Sequence, residues 1–560
     1  MTKNGNEALD MRGNGFGIID RKVTIVVSGI FVLAACHLLT TIPYGRSFHD
    51  LFVLLDGAYR ISVGQMPHVD FSSPIGPLLL FVMRAGEMLF PQGNAFVVYH
   101  ALMWLLLTPA VTMLAPRFSS YRAFLAALGI FAAIMLLPMT LDDTYLSEIS
   151  YFASYNRFAT GILLLIGLWY VLPKSRFDGF LLAFLLFLLV FIKITAAMVG
   201  LGIVVSALVL RRAEWWTGAL AAVWLFGSMV VLETATGLVS GYMSDIGTMI
   251  ALNEESGVYA FFYSAFNNWL VLLLAGLLVS TALWSFVKQT DIGTVGLFPS
   301  IRQFWIREAF LIDTVLLVIA AWGAESQNTG GLGLIAAAAI FFHPVAWRSD
   351  RLITALLVTA MIFPVANMAV KRSLKILIRE RVAAPVQPME ILAKGTRIPL
   401  PTYEGARFFS EILHEKLELL REIQAKRYFF SHDPQSNAPA FALARYMDTV
   451  RAIENFKERN YKDLATSFTS LVFSDPFART LGLMPAKGTM LTMDLDRTVP
   501  HFTKESAGDY LKTANGVFVD RCDIVGEDFG ALFDPVLKTD FNKLPLTACW
   551  DFYIRKTSLE

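Results

Sequence analysis

Side chains able to do chemistry are sparse in this chain, and they collect between apolar runs. The stretch from 43 to 94 carries His49, Asp50, Asp56, Tyr59, Arg60 and Gly64, then GQMPHVDFSSPIGP (64–77) with His68 and Asp70. A carboxylate held in such a loop at a membrane face loses part of its water, which raises its pKa and makes it a better general base. On one helix Asp50 and Asp56, six residues apart, diverge by about 120° at 3.6 residues per turn, so they are not expected to share a cavity. Asp50, just beyond the first apolar stretch, is the favoured base. The competing role for Asp50 is to cap the helix LFVLLDGAYRI, since aspartate is among the best N-cap residues.

A second group, Asp142, Asp143, Glu148, Asn156 and Arg157, precedes the apolar run FATGILLLIGLWY. Arg157 at a membrane surface can grip a phosphate with its forked guanidinium, or it can serve as a snorkelling anchor. The third feature is Lys193 in FIKITAAMVG, between two runs that otherwise hold no charge. An ionisable residue inside the bilayer is costly and points to function. In a short external turn the same lysine costs little, and it can bind a lipid phosphate.

These residues need a frame, and composition says what kind. Of 560 residues 55% are hydrophobic and only 17% charged, and the mean hydropathy is +0.54, too apolar for a soluble enzyme of this length. The formal net charge of +1 gives no global basicity for nucleic acid. Val23 to Ile42 is long enough to span and lacks an obvious cleavage site, so it reads as a signal anchor. Further apolar segments run near 95–115, 121–138, 158–173, 178–194, 196–210, 215–235, 267–287, 309–323, 329–345 and 352–370. With the first span this makes about eleven transmembrane helices.

Residues 74–90 carry Arg84 and Glu87 between prolines and read as an interfacial helix. With that assignment the basic turns (Arg21 and Lys22, Arg117 and Arg122, Lys174 and Arg176, Arg211 and Arg212, Lys288, Arg302 and Arg307, Arg348 and Arg351) fall on one side, which the positive-inside rule makes cytoplasmic. The other side receives 43–94, 139–157, the turn at Lys193 and the acidic loop 236–266. The expected domains are a cytoplasmic N-terminus (1–21), a membrane domain (22–370) and a soluble α/β tail (371–560). An odd number of spans sends that tail outside, although Lys371, Arg372, Lys375, Arg379 and Arg381 would prefer the cytoplasm. Cys522 and Cys549 can form one disulfide if the tail lies in an oxidising compartment, and otherwise are two unrelated thiols. No Cys/His cluster has zinc spacing.

Taken together, Asp50, a short helix, Gly64, Pro67-His68, the helix start Ser73-Pro74-Ile75, and Lys193 with Thr195 and Gly200 resemble the GT-C superfamily of membrane glycosyltransferases. That superfamily includes the lipid A aminoarabinose transferases and the protein mannosyltransferases. The resemblance covers about 20–210 by motif and the remaining helices by architecture. It implies an all-α polytopic membrane domain in a bacterial inner membrane and a periplasmic tail. It also implies an inverting transfer of sugar from a polyprenyl-phosphate donor to a lipid, glycan or protein acceptor. By resemblance Asp50, with Asp56 left open, is the catalytic carboxylate, and Lys193 lies in the turn that holds the donor phosphate. His68, Asp70, Glu148, Asn156 and Arg157 are the further substrate contacts expected.

Two departures matter. Where many relatives carry a second acidic residue before the fourth span, this chain has Asn156-Arg157, so a divalent metal would need Asp142, Asp143 or Glu148. The first loop also lacks the paired acidic residues of better-known branches. In the tail, FSDPFARTLGLMPAKG (473–488) looks like a segment that recurs in uncharacterised bacterial relatives. Two rival readings stand beside the enzyme. A transporter or flippase of lipid-linked saccharides would be expected to show an inverted repeat, and none is evident. A catalytically silent scaffold would use the same fold to display its tail.

Overall fold

The computed structural model describes residues 7–39, 42–46, 48–136, 149–150, 154–252, 262–266, 269–289, 309–326, 333–343, 370, 395–398, 400–419, 422, 439–495, 498–522 and 529–556. The chain is mostly helical, with a small sheet near its C-terminus. Helix α1 (Glu7–Leu38) runs into strand β1 (Ile42–Arg46), then α2 (Phe48–Ser62), β2 (Phe71–Ser72) and α3 (Pro77–Leu89). A bundle follows: α4 (Ala95–Leu114), α5 (Tyr121–Leu136), α6 (Ser154–Val171), α7 (Asp178–Ile192), α8 (Ile194–Val209), α9 (Trp215–Thr236), α10 (Leu238–Leu252), α11 (Trp269–Gln289) and α12 (Ala309–Glu325). Strand β3 (Ile149–Ser150) lies between α5 and α6.

Burial sorts these helices. Nearly every side chain of α6 is buried, from Asn156 to Val171, whereas Val223, Phe226, Val230 and Val231 of α9 are exposed. Among the described residues two helices are long and apolar enough to cross a bilayer, Val97–Arg117 and Trp215–Thr236, and only 6% of the second is buried. Apolar residues of α1 and α11, such as Phe31 and Trp284, are exposed as well. An outer surface of this kind calls for lipid as its solvent. The figure of about eleven spans goes beyond what these residues show. The segment expected as a helix at 352–370 lies outside the described residues, apart from residue 370.

Three elements differ from expectation. The apolar run near 329–345 forms a 3-10 helix over Gly333–Phe342. The supposed acidic loop 236–266 contains α10, packed against α9. Helix α6 starts at Ser154, which places Asn156 and Arg157 in its first turn rather than in a loop.

The turns segregate to two ends of the bundle. At one, Arg117 pairs with Asp178 at 2.6 Å, Arg212 with Asp313 at 3.2 Å, and Arg21 donates to the Ala115 carbonyl. At the other, Lys193 meets Asn156, and the loop after α2 reaches Ile192. Residues 77–89, read as interfacial, form the 13-residue α3, whose Glu87 lies 3.4 Å from Arg479 of the tail.

The tail contains α13 (Leu400–Glu415) and α14 (Pro439–Glu458), then a four-stranded sheet. Its order is β5 (Phe468–Leu471), β7 (Gly516–Asp520), β9 (Trp550–Arg555), β8 (Phe541–Pro545), with β5 and β7 parallel and the other pairs antiparallel. Alternation of side chains across β7 builds both faces. Phe518 joins Phe456, Phe477 and Phe552 on one face, while Val517 and Val519 pack with Phe533 and Leu537 on the other.

Cys522 and Cys549 are disulfide-bonded across the ends of β7 and β9, with Cα atoms 4.9 Å apart. The bridge closes a 27-residue separation. Chain-entropy arithmetic for such a loop gives a stabilisation of about 3–4 kcal/mol. Reduction is therefore expected to lower the melting temperature of the tail, and the two thiols should resist alkylation until a reductant is added. Free labelling in native membranes would contradict this.

Short parallel pairings fasten the tail to the first loop. Strand β1 lies between β3 and β4 (Thr396–Arg397), and β2 pairs with β6 (Thr489–Met490). The tail and the 43–94 loop therefore lie on the same side of the bundle.

Candidate functional site

Two polar groups lie next to one another on that side, one at the mouth of the bundle and one under the tail. The first forms where α6 begins and where the chain breaks between α7 and α8. Lys193 is extended, with φ −157° and ψ 106°, and interrupts what would otherwise be one apolar helix. Its ammonium donates to Asn156 Oδ1 at 2.6 Å and lies 5.5 Å from the centre of the Tyr155 ring. Arg157, the next residue on α6, is 1% exposed, and Tyr99 of α4 meets Ser154 one turn earlier. Glu325 at the end of α12 acts electrostatically on Lys193. Buried Arg157, Asn156 and Glu325 thus gather with half-buried Lys193 at the end of an apolar bundle, where the forked guanidinium and the point-charge ammonium suit a phosphate.

The loop 64–76 packs against this break. Gly76 N–H donates to the Ile192 carbonyl at 3.3 Å, and a Cβ on Gly76 would fall 2.1 Å from the Phe191 oxygen, so no larger residue fits there. His68 belongs to the same loop. Its Nδ1–H donates to Asp245 Oδ2 of α10 at 2.6 Å, and the Ser73 N–H donates to the same oxygen at 3.1 Å. Asp70 accepts from the Met66 N–H at 2.8 Å and pairs with Lys487 at 2.9 Å. Its carboxylate is therefore engaged in holding the loop and the tail.

The second group lies under the tail. Asp56 and Arg60, one helical turn apart on α2, form an ion pair at 2.8 Å with side chains 1% and 2% exposed. Arg60 also donates to Thr489 Oγ1 at 3.0 Å and stands over the Phe71 ring. Among the described residues Asp56 Oδ1 has no hydrogen-bond partner. Burial pushes the Asp56 carboxyl up to about 6 against the pull of Arg60, and the negative Asp475 adds to the rise. A carboxyl raised from about 3.9 in the unfolded chain favours the folded state at low pH, and that contribution is lost as pH rises through about 6. The stability of the wild type is expected to fall relative to that of Asp56→Asn between pH 4 and pH 7, by about 3 kcal/mol at full ionisation. Parallel pH series of melting temperatures for the two proteins would check this.

Asp50 sits in the first turn of α2 rather than at its cap and is half-buried. It faces α14, where burial first, then the charges of Asp50 and Asp520, push the Tyr446 phenol up, while Arg445 and Ser474 oppose. Asp50 and Asp56 occupy different faces of α2, in keeping with the divergence expected from their spacing. Asp142, Asp143 and Glu148 lie outside the described residues, and no cluster of three metal-ligating side chains occurs among the described ones.

Sequence reasoning missed Asp245, Glu325, Tyr446, Asp475 and Thr489. All of them meet their partners across long separations, 177 residues for His68 and Asp245 and 429 for Arg60 and Thr489. The one readable signal was the i, i+4 spacing of Asp56 and Arg60, which identifies an ion pair on a helix.

No family model matches the chain, and no curated protein matches it. Two solved structures do. ArnT from Cupriavidus metallidurans bound to undecaprenyl phosphate is 13% identical with a TM-score of 0.40, covering 95% of this chain and 97% of that one. The same protein in the apo state is 12% identical with a TM-score of 0.37, covering 96% and 99%. No residue role is carried over from so distant a likeness.

Proposed function

We propose that this protein is a membrane glycosyltransferase that moves a sugar from a polyprenyl-phosphate donor to a hydroxyl of a lipid, glycan or protein acceptor, with inversion. The observation that carries the reading is the placement of buried Arg157 beside half-buried Lys193, which is bonded to Asn156, at one end of an apolar bundle. A lipid phosphate suits both halves of that arrangement, its chain among apolar helices and its charge on the two cations.

In this reaction Asp50 takes the proton of the acceptor hydroxyl as its oxygen attacks the anomeric carbon. The bond from that carbon to the phosphate oxygen breaks, and its electron pair leaves with the phosphate. Arg157 and Lys193 stabilise the charge that grows there. Joining donor and acceptor in one cavity removes much of the entropic barrier. Two observations favour the periplasmic side of a bacterial inner membrane. The tail carries a disulfide, which persists in oxidising compartments, and it is paired strand to strand with the loop beside Lys193.

The test uses purified protein in lipid nanodiscs titrated with undecaprenyl phosphate, followed by a panel of undecaprenyl-phosphate sugars with acceptor extracts. Binding is expected to weaken at least tenfold in Lys193→Ala and Arg157→Ala, with transfer falling in step. Wild-type protein that binds no polyprenyl phosphate ends the proposal and leaves the scaffold reading.

A further inference from the structure

His68 is held in an unusual way. Its φ of +62° is a left-handed conformation that a non-glycine residue adopts at a cost, and such residues gather at functional sites. Helix α10 is shaped to receive it. Gly241 leaves room for the His68 backbone, whose oxygen would lie 2.1 Å from a Cβ at that position. The Tyr242 ring packs 4.8 Å from the imidazole, and Asp245 accepts from Nδ1 at 2.6 Å. The side chain is 0% exposed, and Nε2 has no hydrogen-bond partner among the described residues. A carboxylate only accepts, so Asp245 fixes the proton on Nδ1 and leaves Nε2 as a buried acceptor without a donor. Folds seldom leave such an atom unmatched, and a missing ligand group is one reason they do.

Its position indicates which group. Tyr242 donates to the Val190 carbonyl, and the end of the His68 loop donates to the Ile192 carbonyl, so the imidazole is anchored within a few residues of Lys193. We propose that His68 Nε2 accepts a hydrogen bond from a hydroxyl of the sugar attached to the phosphate, with Asp245 as the positioning residue that sets its tautomer. This rests on the reading of Lys193 and Arg157 as the phosphate site. It makes the His68 loop the sugar-recognising element.

Two probes separate the parts, undecaprenyl phosphate and undecaprenyl-phosphate hexose, each titrated into the full-length protein in nanodiscs. In His68→Gln and Asp245→Asn, affinity for the sugar-bearing lipid is expected to fall about tenfold or more, while affinity for the bare phosphate stays within twofold. Equal loss of both lipids, or unchanged affinity for both, in a variant with wild-type melting temperature overturns the proposal. Should His68→Gln not fold, Asp245→Asn decides by the same ratio, and if neither variant folds the role is structural and the proposal fails. Wild-type protein that binds neither lipid removes the phosphate reading as well, whereas wild-type protein that binds both equally overturns the sugar contact alone.

Discussion

Asp50→Asn is expected to lower the rate of sugar transfer by roughly 10²- to 10⁴-fold, the range for loss of a general base, while leaving lipid binding unchanged. The substitution keeps the size and shape of the side chain and removes only its capacity to take a proton. Asp50 has the right setting for that task. It is half-buried, in the first turn of α2, where the positive end of the helix dipole favours a negative side chain. Asp56 provides the control. Its carboxylate is closed off beneath the tail with Arg60, so Asp56→Asn is expected to change the pH dependence of stability rather than the chemistry. Single-turnover transfer measured beside melting temperature separates the two outcomes. If Asp56→Asn stops transfer at unchanged stability and Asp50→Asn does not, the roles are reversed.

The second large effect is on stability. Arg60→Ala should destabilise the contact between tail and loop by about 3–5 kcal/mol, because it strands a buried carboxylate and leaves Thr489 without its donor. The double variant Asp56→Leu/Arg60→Met is expected to recover most of that loss, since a buried ion pair replaced by apolar groups of similar volume is often neutral. Limited proteolysis of the tail, read against the melting temperature, reports the contact directly. A single variant as stable as the wild type would mean that water reaches the pair.

Much of the membrane frame was legible because apolar runs bounded by charges define helices. The segment expected at 178–194 is α7 at Asp178–Ile192, and that at 215–235 is α9 at Trp215–Thr236. Hydropathy sees only the apolar part of a helix. It placed the first span at Val23, whereas α1 starts at Glu7, and it placed the fourth at 158, leaving Asn156 and Arg157 in a loop. It likewise passed over α10, whose polar Ser244 and Asp245 look like loop residues until His68 is set beside them. The site was legible where chemistry was local, as at Lys193 between two uncharged runs. It was not legible where two-residue strands pair over hundreds of residues, as Phe71 does with Thr489, because so short a pairing leaves no period to read.

That pairing also sets a timetable for synthesis. Helix α2 emerges early, yet the threonine that receives Arg60 follows 429 residues later, a wait of roughly 20–90 s at about 5–20 residues per second. Until then Arg60 lacks its Thr489 acceptor, and β2 has no β6 to pair with. A chain cut short before Thr489 would carry its bundle helices and still lack a finished mouth. Its exposed loop would give quality-control proteases the means to tell an incomplete molecule from a complete one.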